Sequence, residues 1–233
     1  MRLSRLNESD FPSHIKLKPS TRARRMALRM DTRERLFTLV LPPGASLKKA
    51  LSFAQKHEDW MLSRLEELPT PISFTDGACL PVFGQARHLR ISFDKTLKRT
   101  NITLKEKEIF VSTNKDDPAP RIVRFLKKLA IEHLQELATQ KAQSIGKAVS
   151  AVSVRDTTSR WGSCSADGRL SFSWRLIFAP PEALDYVVAH EVAHLEHLNH
   201  SKAFWSVCRA LSNDYLEGRH WMDNHGAELM RFG

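Results

Sequence analysis

The chain has 233 residues, of which 42 % are hydrophobic and 27 % charged, and its formal net charge is +10. This composition is typical of a globular protein with one sizeable core, or with a small domain beside a larger one. There is no apolar run of the roughly 18 residues that span a bilayer, no apolar segment of a secretory signal peptide in the first residues, and no C-x-x-C pair among three cysteines. We therefore expect a cytoplasmic protein with no membrane partner, no disulfide framework and no cysteine zinc site.

The first 115 residues are predicted to form a β-rich part with one helix. A leader over residues 1–13 precedes the first strand, and Asp31–Arg33 is predicted to be a turn. Ser46 is a good helix N-cap, and apolar residues follow it at helical spacing to about Glu67. Short apolar or alternating runs predict strands at Ile15–Lys18, Ala23–Met30, Leu36–Leu41, Ala78–Val82, His88–Phe93, Asn101–Leu104 and Glu108–Val111.

Much of the positive charge lies in this part. Residues 1–60 contain 13 Lys or Arg against six Asp or Glu, and the density is highest between Lys16 and Arg35. A basic face attracts polyanions such as nucleic acid, and also acidic substrates. However, strands that alternate Arg with apolar residues are often the solvated face of a sheet, and no stacking aromatic residues are interleaved here. The sequence leaves polyanion contact through this part as an open hypothesis.

Residues 116–233 are predicted to form the second part. Asp116–Pro120 is a break, and an amphipathic helix is predicted over Arg121–Ile145. A polar, turn-rich stretch then leads into Arg169–Phe178, where apolar and polar residues alternate as in a half-buried strand. Asp167-Gly168 is a hairpin signal, so this strand is expected to pair with residues 160–165. Cys164 in the turn is interpreted as a polar loop residue and not as a nucleophile.

The next helix, which Pro181 begins, contains the motif with the most chemical content. His190-Glu191-Val192-Ala193-His194 reads H-E-x-x-H, and His200 follows six residues later. Residues i and i+4 share one helix face, so two imidazoles can bind one metal ion there. Glu191 is then beside the metal, where a carboxylate can polarise a bound water. The helix is expected to end near Asn199, with Leu184, Val188 and Val192 on its packing side.

The sequence offers two alternatives for the third metal ligand. His200 can return from a following turn, which leaves the fourth position open as in catalytic zinc sites. Alternatively, Glu217 or Glu228 from a later helix could be the third ligand. His197 does not match a ligand position, and we expect it to be solvated or to support the ligands.

These residues resemble a known family. The run SRWGSCSADGRLSFSWRLIFAPPEALDYVVAHEVAHLEHLNHSKAFW is similar to the core of the YgjP-like, SprT-like metallopeptidases, which are relatives of the WLM domains. Looser similarity extends into the N-terminal half. The resemblance implies an α+β chain with a zincin-like core of gluzincin type, in which the H-E-x-x-H helix lies beside a small sheet. It also implies one Zn²⁺ ion held by His190, His194 and His200, with Glu191 as the general base. Metzincins have the same histidine spacing but a Gly where this chain has His197, so metzincin membership is not expected.

Three functions are compatible with the sequence. The favoured one is a zinc metallopeptidase acting on a peptide or protein substrate, which a strand beside the zinc helix would bind by edge pairing. Arg160, Trp161 and Ser173 are candidate substrate-binding residues, and Arg160, Tyr186 or His197 could stabilise an oxyanion. The alternatives are a metal-dependent nucleotide phosphohydrolase of pyrophosphatase type, and a non-catalytic zinc-stabilised module that binds nucleic acid or protein. A general base has no use in such a module, whereas phosphohydrolases more often bind Mg²⁺ through carboxylates.

Overall fold

The computed structural model describes residues 7, 10–32, 34–157 and 160–233. The predicted leader over residues 1–13 and the turn residue Arg33 lie partly or wholly outside these ranges. The architecture is mixed α+β, as predicted, with small sheets and helices. The chain divides into two compact units, Met1–Thr70 and Pro71–Gly233. None of the helices described in either unit is long and apolar enough to cross a membrane.

The smaller unit is a three-stranded sheet with two helices. Its central strand is β3, which pairs in parallel with β1 and antiparallel with β2. The helix predicted to reach Glu67 is interrupted at His57, whose ring Nδ1 lies 2.8 Å from the carbonyl oxygen of Phe53. Ser46 caps the first helix by accepting a hydrogen bond from the Lys49 N–H at 3.3 Å. The elements are β1 (Ile15–Pro19), β2 (Ala27–Asp31), β3 (Leu36–Leu41), α1 (Leu47–Lys56) and α2 (Glu58–Glu66).

Arg35 does not belong to the solvated basic face that its sequence position indicates. It is half-buried, has a positive φ of 52°, and donates hydrogen bonds to the carbonyl oxygens of Leu65 at 2.9 Å and Pro69 at 3.0 Å. Leu65 is in the last turn of α2 and Pro69 follows the helix, so Arg35 binds carbonyl oxygens in the region where a helix lacks its usual N–H donors. Arg35 therefore has a structural role within the smaller unit.

Two sheets and a long helix build the first half of the larger unit. The four-stranded sheet has the order β4-β5-β7-β6, with β5 and β7 parallel, and the three-stranded sheet has the order β8-β10-β9. The predicted hairpin is present, because β9 pairs antiparallel with β10. The elements are β4 (Cys79–Val82), β5 (Gln85–Phe93), β6 (Asn101–Leu104), β7 (Glu108–Thr113), α3 (Ala119–Ser144), β8 (Ala151–Arg155), β9 (Gly162–Cys164) and β10 (Arg169–Ser173).

The strand predicted to continue to Phe178 stops at Ser173, and Trp174–Phe178 forms a 3-10 helix. All five of its residues are buried, so the alternation of polar and apolar residues does not correspond to two faces of a strand. The polar residue Arg175 is 1 % exposed, because its guanidinium pairs with Asp156 and donates to the carbonyl oxygens of Phe232 and Gly233 at 2.9 Å. A buried arginine in which each of the three nitrogens has an acceptor is compatible with a core position.

Three more helices complete the larger unit: α4 (Pro181–Ala193), α5 (Lys202–Leu211) and α6 (Tyr215–His225), followed by a 3-10 helix at Gly226–Arg231. Buried residues of the four-stranded sheet, such as Leu89 and Val111, belong to the same apolar core as Leu126 of α3 and Val188 of α4. The structure therefore divides the chain near Thr70 and not near residue 115, because the strands before α3 pack into the core of the helices.

Candidate metal centre

Helix α4 is fixed at its beginning and along its buried side. Pro181 occupies its first turn, and a methyl group on Gly84, in the turn between β4 and β5, would lie 2.6 Å from Pro181 Cδ. Asp185, one turn after Pro181, is buried. Its carboxylate lies 2.6 Å from Lys141 Nζ and accepts a hydrogen bond from the Ser212 hydroxyl at 3.0 Å. This ion pair connects α3, α4 and the end of α5.

The chain turns sharply after α4, and the turn brings His200 back to the helix. The last helical residue is Ala193, earlier than the predicted end near Asn199, and the Leu195 and His197 N–H groups donate to carbonyl oxygens of the final turn at 2.9 and 3.0 Å. Helix α5 then begins after Ser201, whose hydroxyl accepts from the Phe204 N–H at 3.3 Å. Ser201 is thus the N-cap of α5, directly after His200.

His190, His194 and His200 form a cluster in which one ligand atom of each lies within 4.8 Å of the others. The Nε2 atoms of His190 and His200 are 3.1 Å apart. Two nitrogens bound to one tetrahedral zinc ion at 2.0–2.1 Å would be about 3.3 Å apart. The cluster therefore has the dimensions of a site for one metal ion. Neither Glu217 nor Glu228 belongs to it, and Glu228 accepts from His225 at 2.9 Å instead.

The backbone around His194 orients its ring. Its Nδ1 lies 3.0 Å from the carbonyl oxygen of His197. When Nδ1 carries the proton and donates it there, Nε2 is left as the free lone pair that a metal needs. His197 supports the cluster through its main chain, whereas its side chain is near Glu196 at 3.9 Å.

Two aromatic residues of α5 form an apolar wall behind the imidazoles. The buried ring of Phe204 lies 4.5–5.0 Å from the rings of all three histidines, and Trp205 stacks on His200 at 5.5 Å. Both residues stand at the end of the run that resembles the metallopeptidase family, but no contact with the histidines was predicted for them. Their signal was their position at the start of a helix directly after the third histidine.

The environment favours neutral imidazoles. Burial lowers the pKa of His190 to about 4, with further contributions from His194, His200 and Arg219. Burial also lowers the pKa of His194, and the neighbouring His200 adds to this. Metal ligation requires the neutral form, so the protein holds these two rings in the state that a metal ion would use.

Glu191 is 6 % exposed and lies against β9. A methyl group on Gly162 of that strand would lie 2.5 Å from Glu191 Cγ and Oε1, so the carboxylate occupies the space that Gly162 leaves free. Burial raises the pKa of Glu191 to about 7, and the positive charge of Arg160 opposes this shift. A carboxyl group with a pKa near neutrality can both accept and release a proton.

A cleft of about 460 Å³ opens beside His190 and Glu191. Two predicted substrate-binding residues, Arg160 and Trp161, line it, and so does Tyr186. Burial raises the pKa of Tyr186 to about 12, so its hydroxyl stays protonated at neutral pH. Sequence reasoning missed two further lining residues, Met222 and Asp223, which lie on α6.

Ser173, the remaining predicted substrate-binding residue, is fully buried at the end of β10 and does not line the cleft. Its N–H donates to the Trp161 carbonyl oxygen at 2.8 Å. Cys164 is half-buried, and burial together with the charges of Glu191 and Asp167 raises the pKa of its thiol to about 11. A thiol with this pKa is a poor nucleophile at neutral pH, in agreement with the interpretation of Cys164 as a loop residue.

Comparison with known proteins adds three findings. The model of a family described as "YgjP-like, metallopeptidase domain" matches residues 24–225. Among solved structures, the metallopeptidase zymogen abylysin of Pyrococcus abyssi is similar at 19 % identity and a TM-score of 0.36, over 40 % of this chain and 95 % of that one. No curated protein matches the chain.

Proposed function

This chain belongs to the YgjP-like metallopeptidase family, and on that premise we propose that it is a zinc-dependent peptidase. His190, His194 and His200 would hold the ion. The observation that supports this best is their convergence within 4.8 Å beside the buried carboxylate of Glu191. Three imidazoles suit Zn²⁺ better than Mg²⁺ or Ca²⁺, which prefer oxygen ligands. A zinc ion bound there supplies a Lewis acid that polarises the scissile carbonyl and lowers the pKa of water to about 7.

Glu191 moves the proton in this mechanism. It takes a proton from the attacking water and passes it to the nitrogen of the leaving amine, so that one carboxyl group acts first as base and then as acid. Gly162 keeps the carboxylate at the edge of the cleft, because a side chain at that position would displace it. The same packing restricts the rotamers of Glu191.

Arg160 and Tyr186 are the proposed groups for stabilising the negative charge that develops on the carbonyl oxygen. Both line the cleft beside Glu191, and the protonated Tyr186 hydroxyl can donate a hydrogen bond. The third sequence candidate, His197, is not among the residues that line this cleft. Trp161 is proposed to contact an apolar side chain of the substrate.

The substrate backbone is proposed to pair with β9. Within the described residues this strand pairs only with β10, so its other edge has no strand partner. Because Gly162 of β9 contacts Glu191, a peptide added at this edge would run past the general base. The edge strand is thus β9, and not the longer strand over residues 169–178 that the sequence indicated.

The decisive experiment measures metal and activity on the same samples. We expect one zinc per chain in the wild type by mass spectrometry, retention of that zinc in Glu191→Gln, and its loss in His194→Ala. Hydrolysis of a quenched fluorescent peptide library should be lost in both variants. His88→Ala, an exposed histidine on β5, and Glu217→Gln on α6 are matched controls that should keep both zinc and activity.

Two results would contradict the proposal. A wild type that binds no zinc after zinc is supplied would mean that the histidines do not form a metal site. Full peptidase activity in Glu191→Gln would exclude the assigned general base. Phosphate release from nucleoside triphosphates by the zinc-loaded wild type, lost in His194→Ala, would favour the phosphohydrolase instead.

A further inference from the structure

A second cleft of the larger unit, about 660 Å³ in volume, lies between the first turns of α3 and the edge of the four-stranded sheet. Residues around the start of β6, after the end of β7, and on α3 line it. Strand β6 is at the edge of its sheet, so no further strand of the described residues pairs with it on this side of the cleft. None of its lining residues contributes to the cleft at His190, so the two sites are separate.

The lining is strongly positive. Six cations surround the space: Lys98, Arg99, Lys115, Arg121, Arg124 and Lys128. No Asp or Glu is among the lining residues. Of these six cations, only Lys128 forms an ion pair with a described residue, at 3.6 Å with the exposed Glu132 on the same helix. Such an exposed pair contributes little, so the positive charge of the cleft is not neutralised by the protein itself.

The acidic residues nearest in the chain do not compensate for this charge. Asp116 and Asp117 precede α3, but neither lines the cleft. The carboxylate of Asp117 accepts from the Ala119 N–H at 3.0 Å and so belongs to the first turn of α3. The positive end of that helix dipole adds to the potential in the same region.

The spacing of the cations fits a linear anion. Arg121, Arg124 and Lys128 lie at i, i+3 and i+7 on one side of α3, which spans about 10 Å at 1.5 Å per residue. In a B-DNA duplex each strand carries one phosphate per roughly 3.4 Å of helix axis, so this length is sufficient for more than one phosphate of a strand. Three of the six cations are arginines, whose planar forks match phosphate oxygens. The half-buried ring of Phe125 offers an apolar surface between them.

We propose that this cleft, defined by the six cations, binds the phosphate backbone of a nucleic-acid strand. The basic N-terminal part, for which the sequence left polyanion contact as an open hypothesis, is then not the principal site. Binding depends on charge and not on the metal, so it is independent of the proposed peptidase function. With six phosphate contacts, the affinity for single strands should fall with a log–log salt slope of about −4.

The test uses fluorescence anisotropy with a labelled single-stranded DNA of about 20 nucleotides, at salt concentrations between about 50 and 200 mM. The cleft variant is Arg99→Gln, Lys115→Gln and Arg124→Gln, which removes one cation from each side of the cleft. The matched control removes the same charge from exposed residues of the smaller unit, with Lys18→Gln, Arg25→Gln and Arg29→Gln. Glu191→Gln is measured in parallel, together with circular dichroism of every variant.

We expect the cleft variant to lose at least tenfold in affinity near 50 mM salt and to have a slope shallower by about 2, while the control and Glu191→Gln bind like the wild type. Equal losses in the cleft variant and the control would overturn the proposal in favour of non-specific attraction. A loss in the control alone would place the site in the basic N-terminal part. Displacement of the DNA by inorganic tripolyphosphate at equal phosphate concentration would mean a pocket for a small phosphate compound.

Discussion

Gly162 is neither an acid nor a metal ligand, but it determines where the Glu191 carboxylate lies. In Gly162→Ala the added methyl group would overlap Glu191 Cγ and Oε1 at 2.5 Å, and the carboxylate must move. We expect peptidase activity to fall by about 100-fold or more, the contribution typical of a general base, while zinc content is unchanged. Ser171→Ala on the neighbouring strand β10 serves as the control and should keep full activity. Unchanged activity in Gly162→Ala would show that Glu191 does not need its present position.

Phe204 supports the three imidazoles, and its removal should weaken zinc binding and lower the stability of the fold. Phe204→Ala would leave a cavity beneath His190, His194 and His200, since the ring contacts all of them. We expect a loss of about 3–5 kcal/mol in the free energy of unfolding and weaker zinc binding. Phe204→Leu should recover much of both, because it refills most of the volume. A competition assay with a zinc chelator measures the affinity. Unchanged zinc affinity in Phe204→Ala would contradict a supporting role.

At the level of residues, the sequence predicted those parts of the site that are local in the chain. His190 and His194 are one helical turn apart and Glu191 directly follows His190, so the helix period is sufficient to place the three together. Gly162 could not be paired with Glu191 in the same way, because the contact joins residues from different elements. Ser173 was predicted to bind substrate, but it is buried at the end of β10 and does not line the cleft.

Between elements, the buried pair of Lys141 and Asp185 holds α4 against α3. Their side chains are 8 % and 10 % exposed, and Lys141 also donates to the Leu211 carbonyl oxygen at 2.5 Å. Lys141→Met would leave the Asp185 carboxylate buried without its cation, so we expect a loss of about 3–5 kcal/mol in the free energy of unfolding. Lys128→Met, an exposed lysine on the same helix, should change it by less than about 0.5 kcal/mol. Urea denaturation of both variants measures the difference, and equal values would contradict the argument.

The contact between α4 and α6 depends on a second glycine. A methyl group on Gly218 would lie 2.2 Å from the backbone oxygen of Glu182, which cannot rotate away. We therefore expect Gly218→Ala to lower the melting temperature by several degrees and to displace the cleft residues of α6. In Gly162→Ala, by contrast, the Glu191 side chain can move aside, so we expect a smaller effect on stability. Thermal unfolding followed by circular dichroism compares the two variants. A stable Gly218→Ala protein would mean that the helices can separate without cost.

The boundaries of the elements show where sequence periodicity stops being informative. Leu36–Leu41 and Asn101–Leu104 were predicted with the bounds that the structure has, since each is a short run with breaks on both sides. The interruption of the first helix at His57 could not be predicted, because there is no Gly or Pro at that position. The turn after Ala193 is likewise made by residues that are all compatible with a helix, and it is stabilised only by contacts of the folded chain.

For the whole molecule, the two units have separate apolar cores. Phe37 and Met61 belong to the core of the smaller unit, whereas all three histidines and the core around Val188 belong to the larger one. We predict that a fragment of residues 71–233 folds cooperatively and binds zinc with the stoichiometry of the full chain. Calorimetry and metal analysis of the fragment test this. A fragment that is unfolded even with zinc would show that the larger unit needs the smaller one.

The boundary between the two units could not be predicted from the sequence. Asp116–Pro120 contains two acidic residues and two prolines and is typical of a linker, yet it is a short connection within one core. The actual division near Thr70 also has prolines, at Pro69 and Pro71. Composition alone does not distinguish them, because the difference lies in whether the strands before the break pack against the helices after it.

The parallel bridge between Ile72 and Phe232 has a topological consequence. It places the entry and the exit of the larger unit side by side, which is the condition under which circular permutation is tolerated. Residues 71 and 233 could be joined by a short linker, and the chain could be opened at the exposed turn near Lys147 after α3. The three histidines lie far along the chain from both positions, so the permuted protein would keep their arrangement. The order in which the elements are connected is thus separable from the geometry that brings the imidazoles together.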